Sequence, residues 1–237
     1  MKPLRTLEHR LSRKHDTKRD YRVLETNQTG GKPLHDSAFD SQVLKDYWAD
    51  VRSAPLVKLT LGSPRPTAST TLQIQREAGI LHIGVVCQEP DMPGVKIATT
   101  TPNAPTLLAS DHITLLIETA SNSYYEIAIT PAGTVLEIEA KDSKGLAWTS
   151  GAQFTVHRGD KKWSIEMRLP ITGKGSRMIA PLNGIDGDQP KDLLPWHFNV
   201  CRGRMRGTTV ERTAFSATGK DNFYVPEMFT KLWGKKT

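Results

Sequence analysis

The sequence predicts an all-β fold, an antiparallel β-sandwich of jelly-roll or immunoglobulin-like kind with a short helical, basic N-terminal extension. Three observations predict it. The segment from Ser110 to Ala140 alternates apolar and polar residues between turn signals, as half-buried strands laid one after another do. More stretches of that kind follow and precede it, and they outnumber the helical ones. A sheet with one apolar face must cover that face, and further strands are the material this chain offers for it.

The strands can be justified in order. Ile80 to Gln88 is apolar on both parities, as a central strand is. Ile113, Leu115 and Ile117 share one face, with Thr114 and Glu118 on an opposite face expected to be wet. Tyr125, Ile127 and Ile129 come next, then the turn Thr130-Pro131-Ala132-Gly133, then Leu136 and Ile138 alternating with Val135, Glu137 and Glu139, which together predict a hairpin whose alternating acids read as its solvated side. Phe154 to His157 pairs through Arg158-Gly159-Asp160 with Trp163 to Leu169, and Pro170 stops that strand because proline has no N–H for the ladder. Trp196, Phe198, Val200 and Arg202 share one parity of the last strand, and Cys201 to Gly207 reads as its end and a loop.

Composition bounds the rest. The chain has 237 residues, 37% of them hydrophobic, and no apolar run long enough to span a membrane. The formal charge of +7 is concentrated in residues 1–32, which hold nine Lys or Arg against four Asp or Glu. Leu4, Leu7 and Leu11 stand there at helical spacing, so residues 1–39 are expected to form a partly helical extension or linker and residues 40–237 the sandwich. The basic arm raises nucleic acid as a partner, but no interleaved aromatics accompany the charge, and a solvated arm is the preferred reading. Residues following Met1 lack the apolar core of a secretory signal, so an extracellular or cell-envelope location is expected only for a domain of a longer secreted protein.

Chemistry-bearing patterns are sparse. Cys87 and Cys201 are not spaced as a metal or redox pair; they would pair only if their strands face each other with side chains converging, and buried free thiols are the preferred reading. No nucleophile elbow, phosphate loop or HExxH motif occurs, and no two of Glu126, Glu137, Glu139, Asp142 and Glu166 stand out as a glycosidase pair, which argues against catalysis in this chain. Asp186, Asp188 and Asp192 in GIDGDQPKD offer oxygen ligands for calcium, although such loops are commonly plain turns. His82, His112, His197 and Met167 are of types that can ligate haem, but lone histidines on strands read as structural or solvent-facing and no CxxCH is present.

The Trp48 segment, LHIGVVCQE, Asp111 heading DHITLLIET, YYEIAITPAGTVLEI, WSIEMRLP, PWHFNVCR and the closing VPEMFTKL occur in an order that resembles the family 9 carbohydrate-binding modules of the DOMON-like group. That resemblance implies a non-catalytic domain gripping the end of a sugar chain, as the accessory module of a polysaccharide-degrading, glycoside hydrolase protein. It also implies two tryptophan walls around the sugar, whose positions are Leu108 and Phe223 here. A family acid in the first strand is replaced by Thr114, and a sugar-facing arginine by Glu126.

A pyranose presents apolar C–H faces and a rim of hydroxyls, so flat aromatics cover the faces and polar side chains read the rim. Phe223, Tyr124 and Trp148, the last in the loop GLAWTSG, are the stacking candidates, with Leu108 packing against a second face and Glu126 beside them. Phe223 reads equally as a residue covering the sandwich edge, and Trp148 as a cover for the open end of the sheet. Arg202 is expected inside, held by a carboxylate such as Asp111 or Glu166, leaving Arg204 and Arg206 as exposed candidates for an acidic sugar such as a uronate. The competing function is a sandwich that lost its clamp and serves as a structural or interaction domain.

Overall fold

Alternation becomes strands wherever the inward parity meets another layer. A computed structural model of the chain describes residues 21–22, 48–49, 51–60, 62–77, 80–119, 124–141, 144–147, 149–170 and 196–233. Within them the strands are β1 (Tyr21–Arg22), β2 (Ala54–Pro55), β3 (Val57–Lys58), β4 (Thr70–Glu77), β5 (Ile80–Gln88), β6 (His112–Glu118) and β7 (Tyr124–Ile129). The second half adds β8 (Val135–Lys141), β9 (Lys144–Ala147), β10 (Gln153–Arg158), β11 (Lys162–Pro170), β12 (Trp196–Arg206), β13 (Thr209–Ala214) and β14 (Thr230–Trp233). Two short 3-10 helices, Pro105–Ala109 and Pro226–Met228, complete the set. Among the described residues no helix is long and apolar enough to cross a membrane.

Two sheets face each other. The larger runs β1-β14-β12-β6-β7-β8-β9, with β13 and β3 continuing from the far half of β12, and the smaller runs β10-β11-β5-β4-β2. All the pairings are antiparallel except that of Tyr21 and Arg22 with Leu232 and Trp233, which places two residues of the basic N-terminal region at the sheet edge. The helix expected over Leu4 to Leu11 lies outside the described residues. Ile113, Leu115 and Ile117 of β6 and Trp196, Phe198 and Val200 of β12 meet Leu81, Ile83 and Val85 of β5 and Trp163, Ile165 and Met167 of β11 in one core. Each such side chain, taken fully out of water, contributes about 1.5–3 kcal/mol, and this interlayer is what holds the sheets together.

Several strands keep the expected register. Ile80–Gln88 lies centrally between β4 and β11. The β7–β8 hairpin turns where Gly133 N–H donates to Thr130 O at 2.9 Å, with Gly133 at φ 79°, a left-handed conformation that suits glycine. Three expectations need correction. The outer face of β6 is covered, with every residue from His112 to Glu118 buried, because 215–229 folds across it. Glu139 is buried too and accepts from the Tyr125 hydroxyl at 3.3 Å, while Glu137 binds the Ser150 hydroxyl, so these acids are not a solvated face. Finally, β12 runs on to Arg206 and turns at Gly207 (φ 56°) into β13, where a loop was expected.

Both thiols are free and buried, as expected. Cys87 points into the core between the sheets and Cys201 to the outer face of the larger sheet, so the two cannot pair. Burial pushes the Cys87 thiol up to about 12, out of the reactive range.

Candidate functional site

Ionisable side chains gather in two places with opposite electrostatics. At one end of the sandwich, the inward parity of β12 carries Arg202, Arg204 and Arg206 toward Glu89, which directly follows β5 and is fully buried. Arg202 Nη2 donates to Glu89 at 2.9 Å and Arg204 grips it with Nε and Nη2 at 2.8 and 3.0 Å; Arg206 reaches it as well. Arg206 also donates to Asp111 at 3.0 Å, and Glu211 of β13 joins Lys58 to Thr67. Burial alone would raise the Glu89 carboxyl, but the guanidinium donors outweigh it and bring it down to about 2.

This network decides the fate of the arginines. Arg202 is 1% exposed and held by a carboxylate, as expected, although the partner is Glu89 rather than Asp111 or Glu166. Arg204 and Arg206 are corrected from exposed candidates to members of the same network, their side chains only 12% and 19% exposed. Arg212 is committed to Asp221 at 2.9 Å. Fork-shaped donors already filled by carboxylates are poor receptors for a uronate.

The second place is the outer face of the larger sheet. Register puts Leu116 opposite Glu126 and Thr114 opposite Ala128, while Ile138 of β8 flanks Glu126 on its other side. Over the β6–β12 half, Phe223 and Phe229 pack on Leu116 and Cys201. Over the β7–β8 half, Leu107 of the first 3-10 helix packs on Ala128 and Leu136, with Leu108 half-buried against them. Glu126 stands on β7 between the two covers.

Phe223 is 7% exposed and meets His112 edge-on, ring centroids 6.3 Å apart, so its faces are not open for stacking. The neighbouring Tyr224 is 42% exposed, the one exposed large apolar side chain among the described residues. A local bond explains the choice: Val225 N–H donates to Phe223 O at 2.9 Å, a three-residue turn that pushes Tyr224 to its apex and tucks Phe223 and Val225 underneath. Asn199 fixes the start of this segment by donating to Ser216 O and accepting from Ser216 N–H, both at 2.9 Å. Tyr224 was missed from sequence because Phe223 and Tyr224 are adjacent aromatics in a loop, where no alternation tells inside from outside.

Tyr224 OH donates to Glu126 Oε1 at 2.6 Å. Glu126 is 4% exposed, and burial raises its carboxyl above the ordinary range, a rise the phenol donor only partly opposes. Beside it Thr114 is fully buried, its hydroxyl without a partner among the described residues. The face therefore combines an open phenol ring, a half-buried leucine, a buried acid and a buried hydroxyl with spare hydrogen-bonding capacity.

Known proteins share this architecture without sharing its sequence. No protein-family model matches the chain, and no curated protein sequence does either. Among solved structures, a candidate carbohydrate-binding protein from Bacteroides uniformis superposes with a TM-score of 0.66 at 13% identity, over 90% of this chain and 98% of that one. A family 9 carbohydrate-binding module from Caldicellulosiruptor kristjanssonii superposes with a TM-score of 0.56 at 11% identity, in complex with cellotriose over 91% of this chain and 95% of that one, and in complex with glucose over 92% and 97%. The chain has the fold of the family 9 modules.

Within that family 9 fold, Leu108, Thr114 and Glu126 share the outer face of the larger sheet with the Phe223-Tyr224 loop, so four positions scattered along the sequence are brought together. Arg204 is not among them. Tyr124 begins β7, but its side chain, like Trp148 and the calcium candidates Asp186, Asp188 and Asp192, lies outside the described residues. Among the described residues no cluster of His, Cys, Asp or Glu is arranged to hold a metal ion.

Proposed function

We propose that this protein is a non-catalytic carbohydrate-binding domain, recognising a sugar or the end of a polysaccharide on the outer face of its larger sheet, and serving a polysaccharide-degrading partner domain as an accessory module. The observation that carries the reading is Tyr224, an exposed ring hydrogen-bonded to the buried acid Glu126 on a face where Leu108 forms the opposing cover. A sugar would lay a C–H face on the phenol and place its hydroxyl rim against Glu126 and Thr114. Structural neighbours that carry cellotriose and glucose support a saccharide as the ligand class.

The test is a glycan array of mono- and oligosaccharides, uronates included, run with and without calcium, followed by calorimetry on the strongest binder. Tyr224→Ala is expected to cost stacking worth about 1 kcal/mol or more, a loss of roughly fivefold or more in affinity, with the far-UV spectrum unchanged. Unaltered affinity in that variant rejects this face as the site. Silence across the array supports the structural or interaction domain instead.

A further inference from the structure

We infer that the outer-face site prefers a sugar carrying a free ammonium group, a 2-amino-2-deoxyhexose such as glucosamine, over its hydroxyl and N-acetyl counterparts and over uronates; this rests on the carbohydrate reading above. The reason is a charge without a counter-charge. Glu126 is 96% withdrawn from solvent, and among the described residues its hydrogen-bond partner is a neutral phenol, with no lysine, arginine or histidine paired to it. A buried carboxylate in that state is costly, and a cation seated against it recovers the cost.

The hydrogen bonding at Glu126 suits that cation. Tyr224 occupies Oε1, so Oε2 is left as an acceptor, and an ammonium brings three donors of which one suffices for a charge-assisted bond. The exposed Tyr224 ring, with its hydroxyl on the same carboxylate, offers its face to the sugar's C–H groups beside that cation. On the adjacent strand Thr114 is the diagonal neighbour of Glu126, its buried hydroxyl without a partner among the described residues and able to donate to or accept from a ring hydroxyl next to the amine. Neither Arg204, Arg206 nor Arg212 is free to offset the acid or to receive a uronate, because each already holds Glu89, Asp111 or Asp221.

Calorimetry on the full chain with glucosamine, glucose, N-acetylglucosamine and glucuronate, at a pH where the amine is protonated, tests this. Glucosamine is expected to bind about tenfold or more tightly than glucose, the scale of one charge-assisted bond gained, with glucuronate weakest. In Glu126→Gln, shown folded by its thermal transition, glucosamine should lose more affinity than glucose, so that the ratio between them falls to about one. Tyr224→Ala, an exposed substitution, should weaken all the sugars it binds. Equal affinity for glucose and glucosamine, or a preference that survives Glu126→Gln, overturns the inference and leaves sugar recognition standing. Absence of binding by all four sugars overturns this inference, and only silence across the glycan array overturns the carbohydrate reading with it.

Discussion

Glu89 and Glu126 are both buried in one sandwich, yet they are buried in different company. Three guanidiniums surround Glu89, whereas among the described residues the hydrogen-bond partner of Glu126 is a neutral phenol. The first acid is held far below the ordinary carboxylate range, at about 2, and the second is pushed above it. Burial raises both, and only the donors around Glu89 are numerous and charged enough to win. A satisfied buried charge is architecture, whereas the unbalanced one beside an exposed ring is where we propose that a ligand binds.

The largest expected effect comes from breaking the satisfied acid. Glu89→Gln leaves Arg202, Arg204 and Arg206 without their shared anion and should cost about 3–5 kcal/mol of stability in urea unfolding at neutral pH. Because the folded Glu89 carboxyl lies below its unfolded value of 4.5, its stabilisation is present above that pH and is lost as pH falls toward 2. The wild type should therefore lose stability across that window more steeply than the variant. Parallel curves would show that the arginine network does not stabilise the fold.

A second substitution probes the strand that links the two regions. Gly203 lies on β12 between Arg202 and Arg204, on the outward parity, and a Cβ there would stand 2.4 Å from the His112 ring. That ring is buried, with Nδ1 2.8 Å from Ser110 O, so it cannot swing aside freely. Gly203→Ala should cost about 1–3 kcal/mol in thermal or urea unfolding. A neutral result would mean that His112 has another place to go, and that the covered face is looser than its burial implies.

The smallest effect has the opposite sign to the first. Since the folded Glu126 carboxyl lies above its unfolded value, its contribution to stability is complete at low pH and is lost as pH rises through the folded value. Glu126→Gln should then raise Tm at pH 8 by roughly 2–4 °C, the scale of about 1 kcal/mol in a domain of this size, and change it little at pH 4. A fall in Tm at pH 8 would place an unseen cation beside Glu126 and erase the contrast with Glu89.

Much of the fold was legible because burial on one side writes itself as period two. Strands β6, β7, β8, β10 and β11 stand where the alternation put them, and β5 where a run apolar on both parities did. By contrast, β13 was not legible, since TVERTA is short and charged and is kept in the sheet by pairing with β12, where Arg204 stands opposite Glu211. Leu72 and Ile74 of β4 did carry the signal, alternating with Thr71 and Gln73, but diluted among polar residues that the outer face tolerates. At the site, Leu108 and Glu126 could be named from the resemblance, whereas the choice of Tyr224 over Phe223 rests on a turn of three residues.

By itself the sequence determined the layered β architecture, the core-facing parity of its central strands and the inwardness of Arg202, because each depends on residue type and on spacing along one strand. Tertiary structure alone decided which carboxylate each arginine would meet, that β6 would be covered on both faces, and which aromatic would face water. Those outcomes depend on distances between segments far apart in the chain: Arg204 reaches Glu89 and Tyr224 reaches Glu126 only after the sheets have closed.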